Sequence, residues 1–195
     1  LLQKAGTKAL RWPRAFFKMQ RPLTISEGDK SISIEPATES KLTYAIDFPH
    51  PAIGRQEFTF KLGSKAFCRE IAPARTFGFL QDVQRLQANG QALGGSLENA
   101  IVLDPQAVIN PEGLRFPDEF VRHKILDLIG DLALLGWPLL GHIHVAKGSH
   151  ALHQKFMQAL LQHQETWRLH IPEIQPAWRP ALSAASPFKF RVAMA

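Results

Sequence analysis

The sequence has little cysteine, tyrosine or methionine: one, one and three among 195 residues. With Cys68 alone, no internal disulfide can form, and a reducing compartment fits best. Cys68 itself reads as a small buried apolar residue rather than a reactive thiol. No apolar run approaches the roughly 20 residues that cross a bilayer, so no transmembrane segment is expected. Acid is missing at the start: Lys4, Lys8, Arg11, Arg14, Lys18 and Arg21 precede the first acid, Glu27. These bases are too dilute for a strong anionic-polymer or lipid surface, even with Trp12, Phe16 and Phe17 among them. The stretch reads as a solvated connecting segment, and nucleic acid is not an expected partner. The bases also interrupt any secretory signal, and the opening residue is Leu1 rather than methionine. A piece of a longer chain is therefore the expectation.

What is present is the composition of a packed protein. Hydrophobic residues make up 45% and charged residues 21%, which excludes disorder throughout and allows one sizeable core with appendages. "KSISIEP" (30–36), "KLTYAIDF" (41–48) and "EFTFKL" (57–62) alternate as strands. "GSKAFCREIAPAR" predicts a short helix capped by Ser64, and "FLQDVQRLQANG" a helix closed by Asn89 and Gly90. "GGSLENAIVLD" leads into a strand, and "PQAVINPEGLRF" reads as a strand and turn. The strongest helix follows Pro117, Asp118 and Glu119 and stops at Gly136 and Pro138. "PLLGHIHVAK" alternates as a strand, and Ser149 caps a last helix from about His150 to Trp167. Four prolines within 171–195 predict an irregular tail. The fold class expected is α+β: a two-layer sandwich of a mainly antiparallel sheet with two longer helices.

Within "RHKILDLIGDL", His123, Asp127 and Asp131 recur every four residues and share one helix stripe, opposite the apolar Val121, Ile125 and Leu128. Imidazole and carboxylate one turn apart suit a zinc ion. The same spacing also suits a solvated helix face, and alone it does not separate the two. His150, in "KGSHA", opens the last helix, where Asp131 could orient it as a general acid beside such a site. His142 and His144 read as packing residues of a strand, and His153, His163 and His170 as solvated.

Three longer stretches resemble the second half of the UDP-3-O-acyl-N-acetylglucosamine deacetylase family, the zinc enzymes of lipid A synthesis in Gram-negative bacteria. They are "ARTFGFLQDVQRLQANGQALGGSLENAIVLD", "GLRFPDEFVRHKILDLIGDLALLGWPLLG" and "KGSHALHQKFMQALL". The likeness runs from about residue 24 to 167. It implies that His123 and Asp127 are two of three zinc ligands, with iron(II) a possible substitute. His150 would protonate the departing amine, Asp131 would partner it, and Thr76 would steady the oxyanion. Lys124 and Lys147 would contact substrate, Asp47 and Phe48 would hold uracil, and Phe77 and Phe79 would surround the substrate. "LGGSLENA" matches a β-α-β insert forming an acyl passage, with Gly95, Ser96 and Ala100 along it.

The third ligand and the general base of the family lie in a first-half H-x-E-H-like motif that this sequence lacks. The resemblance thus implies residues 1–22 as linker or the end of a missing first domain, 23–170 as the second domain, and 171–195 as a proline-rich tail. Such a chain would supply only the second domain of a cytoplasmic deacetylase, hold zinc weakly and turn over little substrate alone. The alternative is a catalytically silent module that binds nucleotide sugar or nucleic acid.

Overall fold

The computed structural model describes residues 2–6, 8 and 12–172. The chain divides into two compact units, of which Ala15–His170 is the larger. In the smaller, the described element is a helical turn, α1 (Leu2–Ala5). Most of the expected proline-rich tail, 173–195, lies outside the described residues. Among the described residues, no helix is long and apolar enough to cross a membrane.

The larger unit opens with β1 (Phe16–Met19), β2 (Leu23–Glu27), β3 (Lys30–Glu35), β4 (Lys41–Phe48) and β5 (Gly54–Lys61). A short helix, α2 (Ser64–Ala66), widens into a π-helical turn over Phe67–Ile71. Then come β6 (Thr76–Phe79), α3 (Leu80–Ala88), β7 (Ala100–Leu103) and α4 (Glu119–Ala133). The unit closes with β8 (Leu139–Leu140), β9 (His142–Ala146), α5 (His150–Gln162), a 3-10 turn (Gln164–Thr166) and β10 (Trp167–His170).

The main sheet has the order β2-β3-β9-β4-β5, antiparallel except where β4 and β9 run parallel. Its strands alternate, so one face is apolar: Ile32, Ile34, Leu42, Tyr44, Ile46, Ile143 and Val145 are all buried. Two helices cover that face, α4 against β4 and β5, and α5 against β2 and β3. The helices contribute Phe120, Val121, Ile125 and Leu128 from α4, and Leu152, Phe156 and Leu160 from α5. This is the expected α+β sandwich. The opposite sheet face carries Glu35, His142, His144, Lys41, Thr43 and Thr59. Beside the sheet, β6, α3 and β7 form a parallel β-α-β insert.

Several local expectations change. Phe16–Met19, inside the stretch read as linker, form β1, because Phe17 and Met19 are buried and the Phe17 ring packs edge-on to Trp137 and Trp167. The last helix stops at Gln162 rather than Trp167. Residues Trp167–His170 instead pair antiparallel with β1, a partner 148 to 154 residues away that local pattern cannot reveal. β2 is a further strand, an edge whose half-buried Leu23 and Ile25 alternate too weakly to be read. Gly63, not Ser64, caps α2. In the π turn Ile71 takes the buried side, which leaves Cys68 exposed rather than buried. The strand expected within 105–116 reduces to one bridge between Leu103 and Val108. Side chains satisfy the backbone there: Asp104 accepts from the amides of Gln106 and Ala107, and Asn110 from that of Val102.

Candidate functional site

The helix α4 is anchored at its first turn. Glu119 is fully buried and accepts hydrogen bonds from Arg75, through its backbone N and Nε at 3.0 Å and Nη2 at 3.2 Å, and from the Arg115 amide. Arg75, itself buried, also donates to the Gly113 carbonyl at 2.7 Å and pairs with Glu112. Burial by itself raises the Glu119 carboxyl, but the Arg75 side chain and the two backbone amides outweigh it and leave the group below its ordinary range. This clamp fixes the residue before Thr76 to the helix turn that precedes His123.

His123 and Asp127 then face one another on adjacent turns, with Nε2 to Oδ1 at 3.2 Å. Burial holds the His123 imidazole below its ordinary value, so it is neutral at pH 7; Asp127 opposes the shift and Lys124 adds to it. Its Nδ1 is buried and has no hydrogen bond of normal geometry, although the Ala74 carbonyl lies close enough to favour the protonated ring slightly. Lys124 reaches back to Asp127 Oδ2 at 2.9 Å.

Asp131, one turn further on, serves two imidazoles from α5. Its Oδ2 lies 2.7 Å from both His150 Nδ1 and His153 Nδ1. His150 is largely exposed and directs Nε2 towards Asp127, 4.0 Å from Oδ2. His153 was read as solvated, but it is fully buried. Burial depresses its pKa against the pull of Asp131, so the ring is neutral. The neutral ring donates from Nδ1 to Asp131, and Nε2 accepts from the Tyr44 hydroxyl at 3.3 Å. That hydroxyl is pushed up, first by burial and then by Asp127 and Asp131. A legible signal existed for His153: it lies in the stripe with Phe156, Met157 and Leu160, the core positions of α5.

The turn that delivers His150 needs unusual backbone. Lys147 has φ +52°, a left-handed conformation uncommon outside glycine, held by its N–H donating to the Ala45 carbonyl at 2.8 Å. A Cβ on Gly148 would meet the Tyr44 hydroxyl, Val145 and His153. The Ser149 hydroxyl then accepts from the Leu152 amide and caps α5. A Gly148→Ala substitution is expected to cost about 1–3 kcal/mol of stability through forced overpacking, read as a lower urea midpoint.

Two cavities flank this cluster. One, of about 310 Å³, is lined by Asp29, Asp47, Phe48, Lys124 and Lys147, among others. Lys147 Nζ sits 3.0 Å from both Asp29 and Asp47, which raise its pKa. Asp29 was not foreseen, because only the β2–β3 hairpin tip, turned at Gly28 with φ +60°, brings it there. The second cavity, about 420 Å³, is strongly apolar and lies in the β-α-β insert. Thr76, Phe77, Gly95, Ser96 and Ala100 line it, together with Leu80, Val83 and Leu86 from one face of α3. The Phe77 ring stands between Phe48, at 5.7 Å, and His123, at 6.0 Å. Phe79 lies elsewhere, 5.6 Å from the His50 ring and lining a separate pocket with Asp104 and Pro105. The structure thus brings His123, Lys124, Asp127, Asp131 and His150 into one cluster.

The arrangement is that of an α+β domain holding an imidazole–carboxylate pair and a carboxylate-oriented histidine between a polar and an apolar cavity. The family model for LpxC, UDP-3-O-acyl N-acetylglycosamine deacetylase, matches residues 1–162, and the chain belongs to that family. The deacetylase of Geotalea uraniireducens is 46% identical over 168 residues, 86% of this chain and 55% of the relative. That of Oleidesulfovibrio alaskensis is 46% identical over 187 residues, 96% of this chain and 61% of the relative. That of an Anaeromyxobacter species (strain Fw109-5) is 49% identical over 161 residues, 83% and 53% respectively. The chain therefore spans a little over half the length of these curated relatives.

Proposed function

We propose that the chain supplies the second domain, over 23–170, of a deacetylase that hydrolyses the N-acetyl group of UDP-3-O-acyl-N-acetylglucosamine in lipid A synthesis. The observation that carries this reading is the His150–Asp131 hydrogen bond set beside the His123–Asp127 pair, with Lys124 lining the polar cavity and Phe77, 6.0 Å from the His123 ring, lining the apolar one. The cytoplasm of a Gram-negative bacterium is the proposed setting, on family grounds.

His123 and Asp127 would hold the metal, zinc or iron(II). Their 3.2 Å separation fits the edge of a tetrahedral site, roughly 3.3 Å for zinc bonds of about 2.0–2.1 Å. The neutral ring of His123 is the ligand form. When bound, the metal supplies a Lewis acid that polarises the amide carbonyl and activates water. Asp131 holds the His150 ring by Nδ1, leaving Nε2 to pass a proton to the departing nitrogen. Thr76 donates a hydrogen bond from its hydroxyl to the carbonyl oxygen as charge develops there. Lys124 and Lys147 meet the diphosphate, and Asp47 and Phe48 receive the uracil, all four from the polar cavity. The apolar cavity takes the acyl chain, where each buried methylene contributes about 0.8 kcal/mol. A third ligand and a general base come from the amino-terminal domain of the same enzyme.

Acetate release from UDP-3-O-acyl-N-acetylglucosamine tests the proposal. The chain alone should be inactive, and the chain co-expressed with the amino-terminal half of the Geotalea uraniireducens relative should be active. A co-purifying, folded pair with no turnover would refute it.

A further inference from the structure

We propose that Glu35, His142 and His144 form a second cation site, selective for late first-row divalent metals such as zinc and copper. It lies on the sheet face that α4 and α5 do not cover.

β9 is the central strand, so His142 and His144, two residues apart, project from the same face. Glu35 on β3 is directly opposite His142. Its Oε1 lies 3.8 Å from His142 Nδ1 and 3.4 Å from His144 Nε2. The three ligand atoms all fall within 4.8 Å of one another, and the two rings lie 3.8 Å apart. The two distances to Glu35 are close to the ligand edge about one tetrahedral ion, roughly 3.3 Å. Little movement would bring the three groups onto one cation, with water completing the shell.

An independent feature orients the His142 ring. His142 Nε2 lies 2.9 Å from Thr43 Oγ1, which lies 2.9 Å from Thr59 Oγ1 on the next strand. When Nε2–H donates to Thr43 and that hydroxyl donates to Thr59, the lone pair of His142 is on Nδ1, the atom beside Glu35. Metal-bound histidines are usually fixed in this way, through the ring nitrogen that does not bind. All three ligands stand on hydrogen-bonded sheet rather than loops. His144 and Glu35 remain open enough for an ion to enter, at 44% and 58% side-chain exposure. Lys41 neighbours His142 in the parallel ladder and disfavours cations held by charge alone. Two imidazoles and one carboxylate therefore select metals that prefer nitrogen over calcium or magnesium.

Copper(II) titration of the full chain, followed by electron paramagnetic resonance with zinc as competitor, tests the site. The expected spectrum shows coupling to two imidazole nitrogens at one equivalent. It should disappear in His144→Gln and in Glu35→Gln, and persist in a His123→Ala, Asp127→Ala variant. Thr43→Val should weaken binding by about tenfold or more. Circular dichroism checks that each variant is folded; Glu35, Thr43 and His144 lie on the polar sheet face, so their replacement leaves the core untouched. A spectrum unchanged in folded His144→Gln, or abolished by the His123 and Asp127 substitutions alone, would overturn the proposal.

Discussion

Replacing Glu119 with alanine is expected to lower the free energy of unfolding by about 3–5 kcal/mol, measured by urea denaturation at pH 7. Glu119 is fully buried, and the Arg75 side chain it pairs with is 2% exposed. Removing the carboxylate leaves a guanidinium in the interior with only Glu112 and the Gly113 carbonyl to satisfy it, and leaves the Arg75 and Arg115 amides without their acceptor. Coulombic loss alone would be smaller; the desolvated and now unpaired groups dominate. An Arg75→Met, Glu119→Leu double variant should recover much of the loss, because neither charge remains. The pH dependence has a definite sign. Glu119 is depressed below its reference of 4.5, so the unfolded chain takes up its proton first on acidification. The stabilisation is complete above the unfolded value and is lost as pH falls from about 4.5 through the lower folded value. The double variant should show a flatter stability profile across that range.

The second large effect concerns His150. In the complete deacetylase proposed above, with His150 as its general acid, His150→Ala is expected to reduce kcat by about 10²- to 10⁴-fold, with a much smaller change in KM. The asymmetry follows from its position: His150 contacts Asp131 and approaches Asp127, but does not line the polar cavity with Lys124 and Lys147. A Lys147→Ala variant should behave in the opposite way, raising KM more than it lowers kcat. Steady-state kinetics on both variants separates the two roles.

The sandwich and the stripe of His123, Asp127 and Asp131 were legible because both depend on period. Alternation marked β3, β4 and β5, and 3.6-residue spacing marked α4. His150 at a capped helix start was equally local, since Ser149 announces the cap. Features built from distant pairings were not legible. β10 exists because β1 offers a partner, and β1 exists because Phe17 packs on Trp137 and Trp167. The Arg75–Glu119 clamp joins residues 44 apart, and the first-turn acid at Glu119 read only as a favourable end charge. Asp29 reached the polar cavity through a hairpin tip. Burial of His153 reversed an ordinary surface reading, because helical phase had to be weighed against polarity. Phase prevailed, since Asp131 and Tyr44 satisfy both ring nitrogens inside the core.

Ring-nitrogen NMR of the chain during zinc addition tests the central claim most directly, in a His144→Gln background that breaks the outer-face cluster of Glu35, His142 and His144. The account predicts that zinc shifts the His123 imidazole, weakly but saturably, and that Asp127→Ala abolishes the shift. A His123 ring indifferent to zinc, or one that responds equally well without Asp127, would contradict it.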